Sequence, residues 1–274
     1  MKIFDKNNSN RIFNIMSLII LCLGILCVIG LCVLYSVKST VTPQAELTTA
    51  ADTTLNPYVQ SSVILGETED AGIEYQDKII FVGDSTTHHL IASESLSDGQ
   101  NTKQVWTPTS GTLLLDTDIN TKTIYCPQTN TEITISAAAG LFKPEYMIIT
   151  LGVNGSGGAE KDKFSACYKK LIDAIKDVSP DTKIILQSVF PVTAEYSAEN
   201  NGITNAKIDI INQWIIQIAS DCDCKYLDTE IVLKDSSGAL IKEYNTEYHN
   251  DGYHIWKAGY SAVLEYIRTH AYQD

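Results

Sequence analysis

Basic residues are scarce in this sequence. The chain of 274 residues carries 20 Lys and Arg against 33 Asp and Glu, so its formal net charge at pH 7 is −13. It has no Lys- or Arg-rich stripe that could neutralise phosphates, which argues against nucleic acid or an anionic membrane surface as a partner. We take the acidic balance to serve solubility outside the cell.

Cysteines are also few, and there is no internal repeat. The seven cysteines are Cys22, Cys27, Cys32, Cys126, Cys167, Cys222 and Cys224. The first three lie in an N-terminal apolar segment, and Cys222 and Cys224 are too isolated from histidine to form a zinc site. We expect the other four to be buried free thiols, with a disulfide between Cys126 and Cys167 as the open alternative.

Charge is absent from residues 12–37, and this apolar run is long enough to cross a bilayer. Lys2, Lys6 and Arg11 precede it, so the positive-inside rule places residues 1–11 in the cytoplasm and the chain after the run outside. We therefore predict a single-pass cell-membrane protein with an extracellular domain.

Two alternatives apply to this segment. A cleaved secretory signal would need a small-x-small site, and no clear one follows Tyr35. A lipoprotein would need a small residue before its cysteine, whereas Leu21, Leu26 and Leu31 precede the three cysteines. We prefer the uncleaved anchor.

The segment 38–75 is rich in Thr, Ser, Ala and acidic residues and shows no sustained apolar period, which predicts a flexible extracellular stalk. Residues 76–274 suffice for one domain with a sizeable core. Short β-type runs alternate there with helical patterns, which predicts an α/β fold with a parallel sheet and helices on both faces.

Five strands and three helices are predicted in this domain. The strands are Lys78–Val82, Gln104–Trp106, Glu145–Leu151, Thr182–Val189 and Lys225–Asp228. The helices are Lys161–Val178, Asn205–Ser220 and Ser261–His270. Hairpins are predicted over Thr121–Ile135 and around Ser236-Ser237-Gly238.

A serine follows the first predicted strand directly, in Gly83-Asp84-Ser85. Parallel sheets place their sites at this end of a strand, and a helix N-terminus there favours developing negative charge. Serine is also a common helix N-cap, so the position alone does not establish chemistry. A nucleophilic serine needs an imidazole base and a group that orients it.

Asp251 and His254 can supply that base and carboxylate. A carboxylate three residues before a histidine in a turn can bond one ring nitrogen while the other nitrogen faces Ser85. His88 and His89 are less suitable bases, because they lie close to Ser85 on its own helix. We expect them to line the mouth of the site or to face solvent.

Acyl transfer also requires donors for the oxyanion. Asn154 follows the Glu145–Leu151 strand and could donate its amide. Gly111, in Ser110-Gly111-Thr112, could offer a backbone N–H after the second strand.

The blocks Gly83-Asp84-Ser85, Gly152-Val153-Asn154 and Asp251-x-x-His254 resemble, in this order, those of the SGNH (GDSL-type) hydrolases. The resemblance covers most of residues 76–272. It departs from the family pattern at Gly155, where Asp is common, and in the glycine block around Gly111, which is placed by position alone.

This resemblance implies a flavodoxin-like three-layer α/β/α domain without cofactor or metal. Ser85 would be the nucleophile, His254 the base and Asp251 its orienting partner. The Ser85 N–H, Gly111 and Asn154 would form the oxyanion hole.

The expected function is that of a membrane-anchored serine esterase acting through an acyl-enzyme. Its outward position suggests an acylated glycan of the cell envelope or environment, with O-acetyl groups as the favoured substrate. An O-acyltransferase would use the same residues with a sugar hydroxyl in place of water.

Two other classes remain as alternatives. A non-catalytic glycan-binding module would use aromatic residues for stacking, namely Trp106, Tyr125, Tyr196, Tyr244 and Tyr248. A metal site could be built from His249, Asp251 and His254, but it would leave Ser85 and Asn154 unexplained.

Overall fold

A five-stranded parallel sheet is the centre of the domain. The computed structural model describes residues 62–199, 202–246 and 250–273. In chain order the strands are β1 (Ile79–Gly83), β2 (Val105–Trp106), β3 (Thr123–Cys126), β4 (Thr131–Thr134), β5 (Tyr146–Thr150), β6 (Lys183–Gln187) and β7 (Lys225–Leu227). The helices are α1 (Gly72–Gln76), α2 (Ser85–Ala92), α3 (Ile135–Phe142), α4 (Lys161–Lys176), α5 (Ala194–Glu199), α6 (Asn205–Asp221), α7 (Lys242–Thr246) and α8 (Lys257–Thr269).

The predicted α/β class and five-stranded parallel sheet are confirmed, and each predicted strand agrees with its observed limits to within two residues. The order across the sheet is β2-β1-β5-β6-β7. Counting the five parallel strands along the chain, this is the 2-1-3-4-5 order of flavodoxin-like folds. The strands β3 and β4 form the predicted separate antiparallel hairpin.

Two apolar clusters cover the two faces of the sheet. Strand side chains alternate between them: Val82 and Ile149 belong to the first cluster, and Phe81 and Ile148 to the second. The first cluster contains the buried stripes of α4 and α6, and the second contains those of α2 and α8. The sheet therefore lies between two helical layers.

The site follows from this strand order. Strand β1 neighbours β2 on one side and β5 on the other, so the direction of winding reverses between β1 and β5. Gly83 and Thr150, the last residues of these two strands, are paired in register. The loops that follow them separate at this point and leave a crevice, where ligands bind in folds of this type.

Part of the predicted stalk packs on the domain. Val63 and Leu65 are buried, and the Leu65 N–H donates to the Tyr226 carbonyl at 2.9 Å. Ile64 forms a parallel bridge with Tyr226. The apolar tripeptide Val63-Ile64-Leu65 is too short to show a helical or strand period, so the composition of the surrounding segment predicted a stalk there. The packed domain extends at least to Val63 rather than beginning at residue 76.

No helix within the described ranges is long and apolar enough to span a bilayer. The predicted tail 1–11, anchor 12–37 and stalk residues 38–61 lie outside those ranges.

The structure differs from these predictions in some helices. Helix α8 begins at Lys257, four residues before the predicted Ser261. The sequence did not mark this start, because Trp256 at the cap position provides no side-chain cap. Helix α3 was not predicted; Thr134 caps it by accepting from the Ala137 N–H at 3.2 Å. The cysteines at 126, 167, 222 and 224 are free thiols, as expected, but Cys222 is only half-buried.

Candidate active site

Ser85 is the first residue of α2, immediately after the capping residue Asp84. The Asp84 Oδ1 accepts from the Thr86 N–H at 3.1 Å and from the Thr86 hydroxyl at 2.9 Å. A Cβ on Gly83 would lie 2.1 Å from Thr87 Oγ1 and 2.7 Å from the Thr150 carbonyl, so only glycine fits there. The turn from strand to helix is thus fixed on both sides of Ser85.

A chain of hydrogen bonds joins Ser85 to two residues of the C-terminal loop. The Ser85 Oγ lies 2.9 Å from His254 Nε2, and His254 Nδ1 lies 2.6 Å from Asp251 Oδ2. The His254 side chain is 18% exposed and Asp251 is 36% exposed, so the pair opens to solvent. The structure brings together these three residues, which are far apart in the sequence, as the motif analysis expects.

The Asp251 carboxylate is held ionised by its donors. Its Oδ1 accepts from the backbone N–H groups of Tyr253 and His254, both at 2.9 Å, and from the Asn245 amide at 2.8 Å. Burial opposes ionisation, but the hydrogen bonds from His254, Tyr253 and Asn245 outweigh it and hold the pKa of Asp251 well below its usual range. An anion bonded to His254 Nδ1 favours the tautomer that has its lone pair at Nε2.

Asn245 is a supporting residue that the sequence analysis missed. It is buried, and its Nδ2 also donates to the His254 carbonyl at 2.7 Å, while its Oδ1 accepts from the Gly252 N–H at 2.9 Å. It therefore bonds to three positions of the loop that carries the base. Asn245 lies in α7 outside any motif, so no signal in the single sequence pointed to it.

Two aromatic rings pack against the His254 imidazole. The Tyr253 ring lies 4.4 Å away, nearly perpendicular, and the His89 ring lies 4.5 Å away. His89 is thus part of the site wall, as expected for a residue at its mouth. His88 Nδ1 lies instead 3.0 Å from the Thr107 hydroxyl, and burial lowers the pKa of His88.

Asn154 is connected to the nucleophile through Asp84. Its Nδ2 donates to Asp84 Oδ2 at 2.9 Å, and an amide nitrogen has a second N–H for another acceptor. Asp84 is only 1% exposed; burial raises its pKa to about 6, although hydrogen bonds from Thr86 oppose the rise. This link orients the amide beside the N-terminus of α2.

Gly111 lies beside Ser85, but its N–H is already used. The residue has φ +70°, and a Cβ added to it would lie 3.8 Å from Ser85 Cα. Its N–H donates to the Pro108 carbonyl at 2.8 Å, which closes a turn. Gly111 therefore allows the close approach of its loop to Ser85. Its N–H is engaged by Pro108 in this structure, and its place in the oxyanion hole stays a prediction.

The residues proposed for a glycan-binding module or for a metal site do not form one group in the described structure. Trp106 is fully buried, whereas Tyr125 is exposed and Tyr196 and Tyr244 are half-buried. Tyr248 and His249 lie outside the described residues. Within the described part of the chain, no group of three or more His, Cys, Asp or Glu could hold a metal ion.

Comparisons with known proteins agree with this arrangement. The model of the GDSL-like Lipase/Acylhydrolase family matches residues 81–262. A search of curated proteins gave no match.

Among solved structures, the chain is similar to a protein from Streptococcus pneumonia that is described as a platelet activating factor. The two share 21% identity with a TM-score of 0.51, over 79% of this chain and 92% of that chain. The periplasmic domain of a lipopolysaccharide acetyltransferase from Salmonella ser. Paratyphi A shares 15% identity with a TM-score of 0.46, over 80% of this chain and 97% of that chain. An acetyl-xylooligosaccharide esterase variant from Geobacillus shares 15% identity with a TM-score of 0.43, over 77% of this chain and 97% of that chain.

At 21% identity the Streptococcus pneumonia structure supports the fold alone. The family model matches more than half of the chain and includes both Ser85 and His254. The chain therefore belongs to the GDSL-like lipase/acylhydrolase family and is a serine ester hydrolase.

Proposed function

We propose that this protein is a membrane-anchored, extracellular esterase that removes ester-linked acyl groups, O-acetyl groups among them, from a glycan of the cell envelope or environment. The observation that carries the proposal is the hydrogen-bonded chain from Ser85 through His254 to Asp251. A binding module would not require a hydroxyl, an imidazole and an ionised carboxylate in sequence.

Acylation begins when Ser85 Oγ attacks the ester carbonyl carbon and His254 Nε2 takes its proton. Asp251 stabilises the resulting imidazolium through Nδ1–H. The oxyanion accepts from the second Asn154 N–H and from the Ser85 backbone N–H, which has no intrahelical acceptor because it lies in the first turn of α2. His254 then gives the proton to the sugar oxygen, which leaves as an alcohol.

Deacylation repeats these steps with water. The water oxygen attacks the acyl carbon while His254 takes a proton from the water. His254 then returns this proton to Ser85 Oγ as the carboxylic acid leaves. A sugar hydroxyl in the place of water would make the same site an acyltransferase. Both outcomes use the same residues, so analysis of products with and without a sugar acceptor separates them.

The glycan and the location rest on the predicted anchor at residues 12–37. An outward-facing, tethered domain meets envelope or environmental polysaccharides before other esters. The net charge of −13 is consistent with neutral or cationic surroundings rather than anionic lipid.

An assay with a short-chain aryl acetate tests the catalytic part of this proposal. We expect Ser85→Ala and His254→Ala each to lower kcat by about 10³-fold or more. Ser261→Ala, at an exposed serine of α8, is the matched control and should behave as wild type. EDTA should leave the activity unchanged. A fully active Ser85→Ala protein, or activity lost to EDTA and restored by a divalent ion, would contradict the proposal.

A further inference from the structure

A cavity of about 250 Å³ adjoins Asn154. Its lining residues come from the loop after β2, the loop after β5 and helix α4. They are Leu114, Leu115, Asp116, Gly152, Asn154, Gly155, Gly158, Ala159, Glu160, Lys163, Phe164 and Cys167. At about 30 Å³ for each water-sized group, the space holds roughly eight such groups.

The lining of this cavity contains both apolar and charged side chains. Phe164 and Cys167 are buried, and Leu114 is 38% exposed. Of its charged lining residues, Glu160 and Lys163 are exposed, and Asp116 is half-buried and pairs with Lys122 at 2.7 Å. The lining thus combines these charged groups with a continuous set of apolar side chains, Leu114, Leu115, Ala159 and Phe164.

The cavity and the base lie on opposite sides of Ser85. Phe164 and Cys167 are on α4, which packs on the face of the sheet that holds Val82 and Ile149. His254 leads into α8, which packs on the other face. None of the cavity residues comes from the loop that carries Asp251 and His254.

The geometry of the tetrahedral intermediate indicates in which direction each substituent of the ester points. Its central carbon carries Ser85 Oγ, the oxyanion, the leaving oxygen and the acyl chain. The leaving oxygen must face His254 Nε2, which protonates it, and the oxyanion must face the Asn154 amide. The acyl chain is the remaining substituent, so it points away from His254, toward the side of Ser85 on which the cavity lies.

We propose that this cavity binds the acyl chain of the substrate and that the enzyme favours linear acyl groups of about four to eight carbons over acetyl. This inference rests on the proposed esterase function and refines its acyl group. Each methylene that enters the apolar space should raise kcat/KM about three- to fourfold until the cavity is filled.

The test is a chain-length series of aryl esters, from acetate to decanoate, with the full-length protein. For the wild type we expect kcat/KM to rise from acetate to hexanoate or octanoate and to fall at decanoate. Leu114→Asp places a charge in the cavity and should lower the hexanoate-to-acetate ratio of kcat/KM about tenfold. Ala159→Leu reduces the volume and should shift the optimum to a shorter chain.

Leu141→Asp is the matched control, because Leu141 is 65% exposed on α3 and does not line the cavity. It should keep the wild-type ratio. A wild-type rate that falls steadily from acetate, or an unchanged ratio in both cavity variants, would overturn the acyl pocket while leaving the esterase function intact. A folded wild type that hydrolyses no ester of the series would overturn the proposed function itself.

Discussion

Two aspartates lie near Ser85, and they differ in burial, in hydrogen bonding and in the direction in which the fold shifts their pKa. Asp251 is 36% exposed and accepts three hydrogen bonds at a single oxygen, which keeps its pKa low. Asp84 is 1% exposed, and burial raises its pKa to about 6 despite its contacts with Thr86. The comparison shows that the extent of burial and the hydrogen bonds that a carboxylate accepts, rather than the residue type, decide in which direction its pKa shifts.

The two carboxylates also suit different tasks. Asp251 bonds to His254, where a permanent negative charge stabilises the imidazolium that forms during the reaction. Asp84 bonds to Asn154, where an acceptor is needed to orient a neutral amide. Asp251 thus stabilises charge at His254, whereas Asp84 orients the Asn154 amide.

The largest effect is expected at Asp251. Asp251→Asn should lower kcat by about 10³- to 10⁴-fold, because a neutral amide neither stabilises the imidazolium nor fixes the reactive tautomer. Asp98→Asn, at an exposed aspartate with no capping hydrogen bond, is the matched control in a steady-state ester assay. A reduction of less than tenfold would show that Asp251 does not stabilise charge during catalysis.

Asn154→Ala should have the second largest effect. Removing one oxyanion donor is expected to lower kcat by about 10²- to 10³-fold with a smaller change in KM, since the bond matters most in the transition state. Asn101→Ala, at an exposed asparagine, controls for loss of an amide. A variant with raised KM and wild-type kcat would place Asn154 in substrate binding alone.

Asp84→Asn should have the smallest effect on rate. The new amide nitrogen cannot accept from Asn154, so we expect kcat to fall about ten- to hundredfold through lost orientation. Asp98→Asn again serves as the control. Equal losses of kcat in Asp84→Asn and Asp251→Asn would remove the distinction between the two carboxylates.

The free energy of unfolding should depend on pH in opposite directions for Asp84 and Asp251. The folded pKa of Asp84, about 6, lies above its ordinary value of 3.8, so the folded state binds its proton more tightly. Wild type should therefore lose on the order of 3 kcal/mol of unfolding free energy, relative to Asp84→Asn, as pH rises from about 4 to 6. For Asp251, whose pKa is lowered, stability is instead lost as pH falls below the ordinary value. Denaturant titrations between pH 4 and 7 measure the Asp84 difference, and a constant difference would contradict it.

Local patterns made much of this structure predictable. Apolar runs located all five parallel strands, and the spacing of Asp251 and His254 indicated one turn that presents both side chains. Such features depend on neighbours in the chain. The resemblance to a known family then placed Ser85 opposite them.

Contacts between distant segments could not be predicted in the same way. The bond from Asn154 to Asp84 spans 70 residues, and Asn245 meets its partners only after α7 has packed beside the Asp251 loop. The engagement of the Gly111 N–H by Pro108 is a matter of turn geometry rather than residue type. Val63 and Leu65 likewise reveal their burial only in the folded domain.

The most direct test of the central claim is covalent labelling of the nucleophile. Wild-type protein would be treated with a fluorophosphonate, digested and examined by peptide mass spectrometry. Our account predicts one adduct on the peptide that contains Ser85, absent from Ser85→Ala and formed more slowly in His254→Ala, with loss of esterase activity in proportion to labelling. An adduct on a different residue, or esterase activity that persists after Ser85 is fully labelled, would contradict it.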